Sequence, residues 1–85
     1  MAVPDKADIT GALLTFLKTS ILEKDIDITA QTSFDQLGID SLSIIELVLF
    51  IERKFQVIIP EDELLPENLN SVESLAACTF RNLPA

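Results

Sequence analysis

Leu37-Gly38-Ile39-Asp40-Ser41-Leu42-Ser43-Ile44-Ile45-Glu46-Leu47-Val48-Leu49-Phe50-Ile51-Glu52-Arg53-Lys54-Phe55 decides how this 85-residue chain folds. Gly38 gives a permissive backbone just before two residues, Asp40 and Ser41, that both favour helix N-caps. An apolar pattern of helical period follows. Ile44, Leu47, Val48, Ile51 and Phe55 form one stripe, the spacing of a core face. Leu42, Ile45 and Leu49 share a second side, rotated well away from the first. A small domain buries one stripe of a surface helix and leaves another to water, so the second stripe reads as a contact surface for other molecules. Ser43, Glu46, Arg53 and Lys54 lie elsewhere on the helix.

The rest of the chain reads as an all-α domain: a small four-helix bundle of three main helices and one short one. The first helix covers about 5–23, with Ile9, Leu13, Phe16, Leu17 and Ile21 at helical spacing and Asp5 or Asp8 near the positive end of its dipole. Gly11 inside it costs about 1 kcal/mol relative to Ala. Lys24 suits the last turn. A long loop over 25–40 is pinned by Ile26, Ile28, Phe34 and Leu37. Asp25-Ile26-Asp27-Ile28-Thr29 has the look of a calcium loop, but Ala30 stands where the turn glycine belongs and Gln36 where the bidentate Glu belongs. The second helix covers about 41–55. Val57-Ile58-Ile59 is too short for a strand and has no partner run, which leaves an extended linker. Pro60 opens a short helix over about 61–65, and Pro66 ends it. Asn70 stands three residues before Glu73, a capping-box pattern that starts a last helix over about 71–81. That helix is expected to bury Val72, Leu75, Ala76 and Phe80.

Composition narrows the function. A net charge of −8 argues against nucleic acid and against anionic membrane surfaces, and favours basic partners. The imbalance is local. Residues 1–24 are neutral, with Asp5, Asp8 and Glu23 against Lys6, Lys18 and Lys24, whereas residues 25–85 set eleven acids against Arg53, Lys54 and Arg81. One cysteine, Cys78, allows no internal disulfide and fits a reducing compartment. No stretch reaches the length of a membrane span, and the start lacks the layout of a signal peptide. A cytoplasmic monomer is expected.

The inventory of chemistry is thin. With no His, the usual Ser-His and Cys-His nucleophiles are excluded, as are metal sites built on His or Cys pairs. Cys78 reads as a small apolar filler. The two glycines are too far apart to cradle phosphate, and Glu61, Asp62 and Glu63 read as a solvated face. An enzyme is not expected. Ser41 remains, and helix physics leaves two readings of it open. It is part of a cap, or it is an alcohol presented for modification.

Leu37-Gly38-Ile39-Asp40-Ser41-Leu42, followed by Glu46-Leu47 and later by Ile59-Pro60-Glu61, closely resembles the acyl carrier protein family. The likeness covers nearly the whole chain, including Phe34-x-x-Leu37-Gly38 and Val72-Glu73-Ser74-Leu75. It implies that Ser41 receives 4′-phosphopantetheine from coenzyme A through a phosphopantetheinyl transferase that uses Mg²⁺. It implies that Asp40 serves transferase docking and metal contact, and that Leu42, Ile45, Glu46 and Leu49 form the recognition helix. The arm would hold an acyl or aminoacyl unit as a thioester. Partners implied are an adenylating ligase or acyltransferase that loads the arm, and a ketosynthase or other acyl-processing enzyme. Pro66-Glu67-Asn68 looks like discrete carriers of specialised pathways, which points to polyketide or related antibiotic biosynthesis. The alternatives are a carrier of fatty acid synthesis and a helical interaction domain with no prosthetic group.

Overall fold

The computed structural model describes residues 4–21 and 27–84, and three α-helices carry its architecture. These are α1 (Lys6–Phe16), α2 (Ser41–Phe55) and α3 (Val72–Arg81), with a 3-10 turn at Glu61–Glu63. No strand occurs among the described residues. A single bridge joins Ser33 to Ser71. No helix there is long and apolar enough to cross a membrane.

Asp5 caps α1 by accepting the Asp8 N–H, while Asp8 accepts the Asp5 N–H, so two otherwise orphaned donors are satisfied reciprocally. The α-geometry ends earlier than periodicity suggests. From Leu17 to Ile21 the chain widens into a π-helix, where Thr19 Oγ1 donates to the Thr15 carbonyl. Ile26 and Lys24 lie outside the described residues.

Helix α1 packs most extensively on α3 and also on α2. Ile9, Leu13 and Leu17 reach the centre, where they share one cluster with Leu47, Ile51, Val72 and Leu75. Burying aliphatic side chains of this size stabilises by about 1.5–3 kcal/mol each. Phe34 anchors the first connection to this cluster, with Ile28 and Leu37 half-buried against it. The loop turns at Gly38, whose φ of 69° is the left-handed region that a side chain rarely adopts.

Two expectations for the last helix need correction. Its N-cap is Ser71, not Asn70, and the capping box pairs Ser71 with Ser74 rather than with Glu73. The reason is tertiary. Phe34 N–H donates to the Asn70 carbonyl, Ser33 bridges to Ser71, and Glu73 N–H donates to the Ala30 carbonyl. Ser71 is thereby held extended against the loop, so the helix starts one residue later. Phe80 is not buried. It is 46% exposed, and Thr79 takes the core position. On a period of 3.6, position 79 continues the 72, 75, 76 stripe while position 80 falls off its edge. Burial of Thr79 is possible because its hydroxyl donates to the Leu75 carbonyl at 2.8 Å. Cys78 is also buried, and burial pushes its thiol pKa up, with Glu63 adding to the rise and Arg81 opposing it.

The chain just after α2 is extended over residues 57–60. Val57 and Ile59 turn inward and Ile58 outward. The short helix is a single 3-10 turn, Glu61–Glu63, rather than a run to residue 65. The Leu64–Leu69 stretch that follows is pinned by its own polar groups. Asn68 Nδ2 donates to the Glu63 carbonyl, and Leu69 N–H to that of Leu65. An Arg81–Glu63 ion pair ties this segment to α3.

Candidate functional site

Helix α2 positions the site. Asp40 is its N-cap, and Asp40 Oδ1 accepts the Ser43 N–H at 2.9 Å. That bond holds the Asp40 carboxyl below the usual carboxylate range, because a hydrogen bond to the charged form favours ionisation. Ser41 follows as the first helical residue and is exposed. Capping is done by Asp40, so the Ser41 hydroxyl has no bonding duty in the helix start. The Ser41 and Leu42 amides have no hydrogen-bond partner among the described residues. They stand at the positive end of a fifteen-residue helix, a favourable position for an anion.

The two stripes of α2 separate as their spacing indicates. Leu47, Val48 and Ile51 are buried, and Ile44 and Phe55 are half-buried. Leu42, Ile45 and Leu49 are 66%, 54% and 46% exposed. Glu46 is exposed beside them. On a further side of the helix Phe50 stacks on Phe16 of α1, ring centroids 4.3 Å apart and planes 17° from parallel. The geometry thus brings Asp40, Ser41, Leu42, Ile45, Glu46 and Leu49 onto one helix and its cap.

Periodicity does not reveal a cleft that starts at Ser41 and runs beside α2. It has a volume of about 440 Å³. Ile44, Ile45, Val48 and Leu49 form one wall, Leu64 and Leu69 the other, and Glu52 stands at the far end. Ile44 and Val48 therefore serve the core on one side and this cleft on the other. Leu64 and Leu69 come from a segment with no regular pattern, and their role follows only from how residues 57–69 fold back. A smaller hollow, also touching Ser41 and Ile44, continues the cleft toward Phe34 and Asn70.

These residues suit a covalent phosphodiester arm. The alcohol is exposed, unpaired N–H groups sit beside it for the phosphate, and an apolar cleft opens at the same point.

A family model described as phosphopantetheine attachment site matches residues 9–79. Aminoacyl carrier protein 1 of Bradyrhizobium diazoefficiens is 34% identical over 79 residues, covering 89% of this chain and 87% of that protein. An acyl carrier protein of Exiguobacterium sibiricum is 40% identical over 65 residues, covering 71% and 80% respectively. Among solved structures, the Bradyrhizobium japonicum glycine:[carrier protein] ligase complexed with glycylated carrier protein holds a chain that superposes with a TM-score of 0.69. That chain is 30% identical, and the match covers 86% of this chain and 96% of it. With both the sequence model and the three-helix frame in agreement, the chain belongs to the acyl carrier protein family, whose members are carriers rather than catalysts and bear a covalently attached 4′-phosphopantetheine.

Proposed function

We propose that Ser41 Oγ is the attachment point and that the protein carries an aminoacyl unit on the arm, within a natural-product pathway of polyketide or related type. The observation that carries the reading is the exposed Ser41 hydroxyl on the first turn of α2, freed from capping by Asp40 and opening onto an apolar cleft. When attached, the group supplies a flexible chain ending in a thiol that holds a carboxylic acid as a thioester.

This chain's own residues supply the rest. Ser41 Oγ loses its proton to a base on the transferase and bonds to phosphorus, while the pyrophosphate linkage of coenzyme A breaks and adenosine 3′,5′-bisphosphate leaves. Asp40, kept ionised by the Ser43 N–H, holds a carboxylate beside that hydroxyl for the transferase and its Mg²⁺. The first-turn amides of α2 then stabilise the phosphodiester. Leu42, Ile45 and Leu49 give partner enzymes an apolar anchor, and Glu46 with the net charge of −8 steers basic surfaces toward it.

An aminoacyl cargo is favoured over other acyl groups by the aminoacyl carriers of Bradyrhizobium and by the glycylated carrier seen with its ligase. The loading partner is accordingly an adenylating ligase. Intact mass after incubation with coenzyme A, Mg²⁺ and a promiscuous transferase tests the attachment. The wild type should gain one phosphopantetheinyl group and Ser41→Ala none. A gain that survives Ser41→Ala sinks the proposal. Offering the phosphopantetheinylated protein, its arm thiol free, glycine or a fatty acid with the corresponding adenylating ligase then distinguishes the aminoacyl from the fatty-acid carrier.

A further inference from the structure

We infer that Glu52 receives the ammonium group of the aminoacyl cargo, with the arm lying along the cleft beside α2. The inference rests on the aminoacyl reading above. The cleft begins at Ser41 and includes Glu52, the one charged residue on its lining. Ile44, Val48, Leu64 and Leu69 make its walls apolar between those two ends.

Length agrees with this path. Ser41 and Glu52 are eleven residues apart on one helix, about 16 Å at the usual rise. The arm has about fourteen chain atoms from phosphorus to sulfur, equivalent to nearly five extended residues, or about 16 Å. The thiol end therefore reaches the level of Glu52 when the arm is stretched along the cleft.

The chemistry agrees as well. An α-amino group of ordinary pKa is largely an ammonium at pH 7. An ammonium brought into an apolar slot without a partner pays heavily for lost hydration. A carboxylate at the end of the slot removes that penalty, whereas a neutral acyl group has no use for it. The fold itself does not require the charge. Glu52 Oε2 accepts the Ile59 N–H at 2.9 Å, which pins the extended segment after α2, and a glutamine carbonyl could accept the same bond. Oε1 has no hydrogen-bond partner among the described residues. The adjacent cations Arg53 and Lys54 do not line the cleft and form no ion pair among the described residues.

The test loads the wild type and Glu52→Gln, through the transferase, from glycyl-coenzyme A and from propionyl-coenzyme A. These acyl groups have nearly the same shape and differ in an ammonium against a methyl. Thioester hydrolysis is followed by intact mass at pH 7, and the Glu52 carboxyl carbon by NMR. The glycyl thioester should hydrolyse about two- to fivefold faster on Glu52→Gln, the range of a partly exposed ion pair, and the propionyl thioester equally on both. The glycyl load, and not the propionyl load, should shift the Glu52 carboxyl resonance. That second comparison needs only the wild type, so it decides the matter even if the variant melts early. Equal hydrolysis with no glycyl-specific shift refutes the role of Glu52 and leaves the carrier reading standing. If neither load attaches, the Ser41 assignment fails and this inference falls with it.

Discussion

The two apolar faces of α2 are built from the same kinds of residue and end in opposite environments. Leu47 and Ile51 are fully buried, whereas Leu42, Ile45 and Leu49 are about half exposed or more. Hydrophobicity alone therefore does not distinguish core from docking surface. Rotation about the helix axis does, because α1 covers one side and nothing among the described residues seals the other. The folded state gains little from Leu42, Ile45 and Leu49 at these positions; under the proposed function, partner enzymes cover them in turn.

Substitutions break the comparison at its ends. Leu47→Glu places an unpaired charge in the core and should cost more than about 4 kcal/mol, enough to abolish a cooperative melt in circular dichroism. Leu49→Glu should melt with the wild type but slow transfer by partner enzymes about tenfold, the scale of a lost interface anchor. Should the two variants behave alike, the faces have been misassigned. Phe50→Ala, on a third side, removes the stack on Phe16 and should lower stability by about 2 kcal/mol, since the ring is only half-buried. Its melting temperature should fall while holo conversion is retained. Smallest is Arg81→Ala. Its ion pair with Glu63 is 3.3 Å long and 52% and 32% exposed, so denaturant titration should register less than about 1 kcal/mol.

The cap sharpens the contrast in a different way. The folded-state pKa of Asp40 is depressed by the Ser43 N–H. The stabilisation it brings is fully present above the ordinary carboxylate pKa and is lost as pH falls through the lower folded value. Asp40→Asn should therefore remove part of the acid sensitivity of the helical signal below the ordinary carboxylate range, measured by circular dichroism. An unchanged acid profile would mean that the cap contributes nothing at that end.

Most of α2 was legible in the chain itself, because a 3.6-residue period records which side faces the core. The exposed stripe follows from that record, whereas the cap was marked only by residue type, which favours Asp40 and Ser41 alike and left open which of them does the capping. What stayed hidden depends on contacts between distant segments. The start of α3 at Ser71 is set by pairing with residues 30–34, which outweighs the local Asn70–Glu73 signal. The burial of Thr79 in place of Phe80 is a local exception: the helical period favours position 79, residue type favours Phe80, and the Thr79 hydroxyl bond to the Leu75 carbonyl lets the polar residue take the core position. Leu64, Leu69 and Glu52 join the site only because residues 57–69 fold back along α2, and no periodicity encodes that return.

The most direct measurement is fragmentation mass spectrometry of the protein after treatment with coenzyme A and a transferase, reading which residue carries the added group. The phosphopantetheinyl mass should be found on Ser41 alone. Finding it on Ser43, two residues further round the same turn and half-buried, or on any other hydroxyl, would contradict the claim that α2 presents Ser41 as the tether.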